Sequence, residues 1–200
     1  MTQVRSLKGI VVCGGKSSRM GRDKSLLNYH GKSQCYLVYE MLNLFCEAVV
    51  ISCNNGQVAQ FKNGYVIQPD FKKLENIGPM AALLTAFKNN PNQDLLVLGC
   101  DYPFLDATHF QLFLENKKKD SIAAVFYNQD EKYEPLIGWY SRECAPLLES
   151  FFERGSYSLQ QFLKSVNAEK HVPDDPSVMT SVDTPERFLE VQLLLKNKNH

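Results

Sequence analysis

One glycine-bearing segment crowds four cations into nine residues: Cys13-Gly14-Gly15-Lys16-Ser17-Ser18-Arg19-Met20-Gly21-Arg22-Asp23-Lys24. Glycines accept positive φ and let backbone approach a ligand closely. Their N–H groups, two serine hydroxyls, and Lys16, Arg19, Arg22 and Lys24 suit a polyphosphate. The bland alternative is a turn with solvated lysines, but the segment follows directly on the apolar run Ile10-Val11-Val12, which favours the phosphate. Two familiar spellings fail. Five residues separate Gly15 from Gly21, and Arg22-Asp23 intervene before Lys24-Ser25, so the P-loop is absent; G-x-G-x-x-G is absent too. A second segment, Leu98-Gly99-Cys100-Asp101-Tyr102-Pro103-Phe104, sets a carboxylate at the end of another apolar run. Such a carboxylate holds Mg²⁺ beside substrate phosphates. A turn capped by Asp101 before Pro103 explains the segment equally well when it is taken alone. The cationic loop on the same sheet edge favours the metal. His30, His109, His171 and His200 have no partner at catalytic spacing and read as structural or solvated.

The elements that must position these groups alternate. Gly9–Cys13, Ala48–Ser52, Tyr65–Ile67, Leu95–Cys100 and Ser121–Tyr127 read as strands, and Gln34–Phe45, Pro79–Phe87 and a segment capped by Asp106 or Thr108 read as helices. Fully apolar strands alternating with helices imply an α/β fold with a parallel sheet covered on both faces. In such sheets ligands bind outside the carboxyl ends of the strands, where both segments fall. After Asn128 the rhythm changes: a strand Leu136–Tyr140, helices Glu143–Glu153 and Ser158–Ser165, an extended stretch Ser177–Val182, and a last helix opened by Thr184-Pro185-Glu186. The expectation is one domain over 1–200, with a regular part near 1–128 and a less regular part near 129–200. Trp139 and Tyr140 read as core. Arg142, Arg154 and Lys164 are charges of that part that could meet a substrate phosphate, but nothing in their spacing singles them out and solvated helix charges are the default reading.

Composition narrows the class. The 22 basic and 22 acidic residues cancel, which argues against duplex binding. No apolar run reaches the roughly 18 residues of a membrane span, and Ile10–Cys13 is too short for a signal peptide, so a cytoplasmic location is expected. Six scattered cysteines, with no C-x-x-C, read as buried free thiols rather than zinc ligands or disulfides.

The string Gly14-Gly15-x-Ser17-x-Arg19-Met20-Gly21-x-Asp23-Lys24 resembles the signature of the molybdenum cofactor guanylyltransferases, the MobA-type nucleotidyltransferases. Gly78-Pro79-Met80-Ala81-Ala82, Cys100-Asp101-Tyr102-Pro103-Phe104, Glu134-Pro135-Leu136 and Val182-Asp183-Thr184-Pro185-Glu186 follow in family order, so the resemblance spans nearly the whole chain. It implies a Rossmann-like, three-layer nucleotidyltransferase fold with a mostly parallel central sheet. It also implies transfer of GMP from GTP to the terminal phosphate of molybdopterin, with Mg²⁺ as cofactor. By the same resemblance the nucleotide-binding positions are Val12, Cys13, Gly14, Gly15, Lys24, Asp70 and Asp101. Arg19, Lys24 and Asp101 carry catalysis; Asp101 is the metal ligand and Asp183 the candidate second one. The implied partners are GTP and molybdopterin, with transient hand-off contacts to other molybdenum-cofactor biosynthesis or acceptor proteins, and neither nucleic acid nor membrane. Cys13 stands for a usual Ala, Ala82 for a usual Gly, Ser52 for an Asn in some members, and Asp183 for a frequent Asn; these departures bear on base recognition rather than on reaction type. The competing readings are a cytidylyltransferase or sugar-phosphate nucleotidyltransferase, and a catalytically silent nucleotide-binding regulator.

Overall fold

The computed structural model describes residues 6–13, 24–29, 31–182 and 184–198. Among them, seven strands form one sheet: β1 (Leu7–Val12), β2 (Ala48–Cys53), β3 (Ile67–Pro69), β4 (Asp94–Gly99), β5 (Ala123–Tyr127), β6 (Tyr133–Tyr140) and β7 (Glu169–His171), in the order β3-β2-β1-β4-β6-β5-β7. β1, β2, β3 and β4 pair in parallel, β6 runs antiparallel to β4 and β5, and β7 returns parallel to β5. Six of these strands therefore share one direction and β6 opposes them.

Side chains alternate across a strand, so a fully apolar strand needs a cover on each face. Val11, Ile51, Leu96 and Leu98 point to one face, against α1 (Gln34–Leu42) and α3 (Ala107–Asn116). Ile10, Val12, Val50, Leu95 and Val97 point to the other, against α2 (Met80–Asn89), α4 (Cys144–Glu153) and α5 (Leu159–Ser165). Three layers follow. The last helix, α6 (Pro185–Lys198), packs Val191 and Leu195 beside Val182 with Tyr29, Phe104 and Phe188. Its start is set by Pro185 and by Thr184 Oγ1, which accepts from the Arg187 N–H at 3.2 Å. Asp106 caps α3 by accepting the His109 N–H at 3.1 Å.

Three local expectations shift. The third strand lies at Ile67–Pro69, because Tyr65 is drawn off the ladder to stack on Tyr36 with ring centroids 4.3 Å apart. The stretch read as extended over Ser177–Val182 begins instead as a 3₁₀ turn, Pro176–Met179, where the Asp175 carboxylate accepts the Ser177 N–H at 2.9 Å. The part after residue 130 is more regular than expected, since β6 is buried inside the sheet and β7 extends it. All six cysteines are free; five are buried, and Cys46 is only partly so. No helix among the described residues is long and apolar enough to cross a membrane.

Candidate nucleotide site

The parallel strands end along one edge, and the hydrogen-bond ladder continues a residue beyond them. The Cys13 N–H donates to the Ser52 carbonyl at 2.9 Å, the Cys100 N–H to the Val12 carbonyl at 3.3 Å and the Asp70 N–H to the Cys53 carbonyl at 2.9 Å. A cavity of about 490 Å³ opens over the ends of β1, β2 and β3 and is closed by the start of α2. Val12, Pro79, Ala81 and Ala82 supply apolar wall; Asn54, Asn55, Asp70, Glu75 and Asn76 supply polar groups. Left-handed backbone at Asn76 (φ 69°) and Gly78 (φ 72°) turns the chain from the 3₁₀ turn Lys72–Leu74 into α2, and Gly78 is the residue type that takes this at no steric cost. Buried Gln57 accepts the Asn54 N–H at 3.1 Å and donates to the Cys13 carbonyl at 3.3 Å, tying the Asn54–Gly56 turn to the end of β1.

Asp70 accepts from the Ser52 hydroxyl at 3.1 Å. Burial pushes its carboxyl up to about 6; the Ser52 hydrogen bond opposes this, and the nearby Glu75 charge adds to it. Asn55 uses both amide hydrogens locally, one to the Glu75 carboxylate at 2.8 Å and one to the Asp70 carbonyl at 3.1 Å.

Asp101 follows β4 on the same edge but is not part of this cavity's wall. Its carbonyl accepts the Val182 N–H at 3.2 Å, and the Cys100 thiol lies 3.8 Å from Oδ1. Tyr29 sits against Phe188 of α6 with centroids 5.0 Å apart. Its phenol is held well above its ordinary value by burial first and the Asp101 charge second, so segment 24–29 and α6 both converge on Asp101. Among the described residues no group of three His, Cys, Asp or Glu is placed to hold a metal ion. A single strand-end carboxylate is nonetheless a donor set that Mg²⁺ accepts, because this ion keeps waters and takes substrate oxygens.

Of the residues named from sequence, Val12 and Asp70 meet on the cavity wall, while Asp101 stands one strand over. The Cys13 side chain turns into the core, where burial raises its thiol well above the ordinary range; the residue contributes backbone there, not a nucleophile. Gly14, Gly15, Arg19 and Asp183 lie outside the described residues, and Lys24 is described by its backbone alone, in the 3₁₀ turn Lys24–Leu26. No sequence pattern marks Glu75, Asn76 or the Asn54-Asn55-Gly56 turn as part of a site; the loop geometry brings them to the cavity. Trp139 and Tyr140 are core, 2% and 0% exposed. The Arg142 N–H donates to Asp94 at the first residue of β4, which puts Arg142 at the opposite end of the sheet from Asp101 and removes it from any acceptor site there. Arg154 bonds Ser150 at 3.0 Å on its own helix. His109 pairs with Asp106 in the α3 cap, and His171 packs on Phe113 and Phe126; both are structural.

Past Asp101, the same edge carries a second polar cluster. The Tyr102 hydroxyl donates to Glu134 Oε2 at 3.0 Å and the Asn128 amide to Oε1 at 2.7 Å.

Residues 9–185 match the family model described as a MobA-like NTP transferase domain. The chain is 27% identical over 192 residues to a molybdenum cofactor guanylyltransferase of Vibrio parahaemolyticus, covering 95% of this chain and 97% of that one. It is also 27% identical over 188 residues to a molybdenum cofactor biosynthesis bifunctional protein of a Synechocystis species, covering 92% of this chain. It spans about half of that longer relative, 53%. Among solved structures, molybdopterin-guanine dinucleotide biosynthesis protein A from Archaeoglobus fulgidus superposes with a TM-score of 0.77 at 20% identity, over 95% of this chain and 99% of that one. That likeness shows the fold: the Rossmann-like, mostly parallel three-layer nucleotidyltransferase architecture expected from the sequence.

Proposed function

The chain belongs to the MobA-like NTP transferase family and is a nucleotidyltransferase, and from that premise we propose that it transfers GMP from GTP to the terminal phosphate of molybdopterin. The observation that carries the reading is the juxtaposition along one sheet edge of a nucleoside-sized cavity at β1–β3 and the Asp101 carboxylate at the end of β4.

The acceptor phosphate is already ionised at neutral pH, so its oxygen attacks the α-phosphorus without a protein base. The new P–O bond forms as the bond to the β-phosphate oxygen breaks, and the electron pair leaves with pyrophosphate. This account needs no protein nucleophile, which agrees with the core-facing Cys13 thiol and the structural roles of His109 and His171. Positioning and charge neutralisation remain the protein's task. In this reading Val12, Cys13 and Asp70 hold the nucleoside, Gly14 and Gly15 offer N–H groups to the β- and γ-phosphates, and Arg19 and Lys24 offset charge on the α-phosphate and the departing pyrophosphate. Asp101 would hold Mg²⁺, which when bound neutralises phosphate charge. The Val182–Asp101 backbone bond, which brings the residue before Asp183 to Asp101, supports Asp183 as a second ligand.

Calorimetric binding of GTP, CTP, ATP and UTP with Mg²⁺, in the unsubstituted chain and in Asp101→Ala, tests this. The expected result is a GTP preference that depends on Mg²⁺ and weakens in the variant. In turnover the variant should lose on the order of a hundredfold, the size seen when one preorganised electrostatic partner is removed. Preference for CTP would instead make the chain a cytidylyltransferase.

A further inference from the structure

We propose that Glu75, held in place by Asn55, is the side chain that selects guanine; the inference rests on the guanylyl-transfer reading and adds a residue to it. Glu75 lines the cavity, and its Oε1 accepts from Asn55 Nδ2 at 2.8 Å. The other hydrogen of that amide goes to the Asp70 carbonyl at 3.1 Å, so the carboxylate is tied through Asn55 to the end of β3 rather than left to rotate. Among the described residues Glu75 forms no ion pair, and its acceptor capacity beyond the one Asn55 bond is unused.

Charge decides which end of a nucleotide this wall receives. Asp70 and Glu75 stand on the same cavity, and the Glu75 charge adds to the burial that pushes the Asp70 carboxyl up. A wall of that sign repels a triphosphate, and phosphate-binding cations lie instead in the segment that follows Cys13. The anionic wall therefore faces the base. Of the four common bases only guanine presents two adjacent donors on one edge, N1–H and the 2-amino group, which match the two oxygens of one carboxylate. Cytosine and adenine each set their amino group beside an acceptor nitrogen, and uracil sets its single N–H between two carbonyls, so a carboxylate meets a lone pair in each. Rejection comes from that mismatch as much as preference comes from the match.

The test is calorimetric binding of GTP and ITP, with Mg²⁺, to the unsubstituted chain, Glu75→Gln and Asn55→Ala. Hypoxanthine keeps N1–H and lacks the 2-amino group, so the GTP:ITP affinity ratio isolates the contact. The unsubstituted chain should favour GTP by about tenfold to a hundredfold, the range of a hydrogen bond to a charged group. Glu75→Gln should bring the ratio close to one, chiefly by weakening GTP. Asn55→Ala, which frees the carboxylate without removing it, should lower the ratio in part. A ratio unchanged in both variants, or GTP and ITP weakened equally, would mean that Glu75 only shapes the loop and would overturn the proposal. CTP bound more tightly than GTP by the unsubstituted chain overturns the guanylyl reading itself; that comparison involves no variant and is read before them, so it is not confused with the first.

Discussion

Asp70 is charged in solution and half withdrawn from water in the fold, and this has a thermodynamic consequence. Its folded value of about 6 lies above the ordinary 3.8, chiefly through burial. A raised carboxyl value means the folded state binds the proton more tightly than the unfolded chain. Asp70 therefore adds to stability at low pH, and this contribution is lost as pH rises through about 6. Between roughly pH 4 and 6 the ligand-free protein should gain less on acidification once Asp70→Asn removes the titration, while Asn can still accept from Ser52. Thermal melts across that window compare the two slopes; parallel slopes would place the Asp70 value near that of a solvated carboxylate. Asp101 was accessible to sequence reading because it ends an apolar run, Asp70 only through the family resemblance. Glu75 was not: it follows two lysines in a short polar stretch, and nothing in Lys72-Lys73-Leu74-Glu75-Asn76 marks one residue as facing a cavity. Its role depends on Asn55, 20 residues away, and contacts at that separation leave no local pattern.

At the scale of elements, β6 holds the sheet's second half to its first. It lies between β4 and β5, and it does so only because residue 138 has no side chain. A Cβ there would stand 2.4 Å from Val125 Cγ1 and 2.7 Å from the Ala124 carbonyl oxygen. Gly138→Ala should therefore destabilise by about 1–3 kcal/mol or more, through forced separation of β5 and β6, and chemical denaturation measures it. A midpoint unchanged from the parent would show that the pair gives way freely. The long apolar strands β1, β2 and β4 and helices α1 to α5 were readable because burial on both faces or one stripe writes itself into residue type. β3 and β7 were misplaced or missed because each is a three-residue edge strand with few buried side chains. The antiparallel sense of β6 was equally hidden, since its residues look the same in either direction. Pro135, without an N–H, sits where the β5–β6 register shifts between Val125 and Phe126.

Across the whole molecule, the carboxyl edge carries three things in order: the cavity over β3, β2 and β1, Asp101 after β4, and the Tyr102–Glu134–Asn128 cluster toward β6 and β5. An in-line displacement sets the attacking acceptor oxygen opposite the leaving pyrophosphate, with the nucleoside to the side, and this layout pairs a nucleoside-sized cavity on one side of Asp101 with a polar surface on the other. At the opposite edge the Arg142 N–H donates to the Asp94 carboxylate at the first residue of β4. The direct test of this account is turnover: GTP labelled at the α-phosphate is incubated with molybdopterin and Mg²⁺, and label in the pterin product is measured together with released pyrophosphate. The prediction is label transferred to the pterin with one pyrophosphate per transfer, from GTP in preference to CTP, and about a hundredfold slower in Asp101→Ala. Tight GTP binding with no label transferred and no pyrophosphate released would contradict it, and would mark the chain as a nucleotide-binding regulator instead.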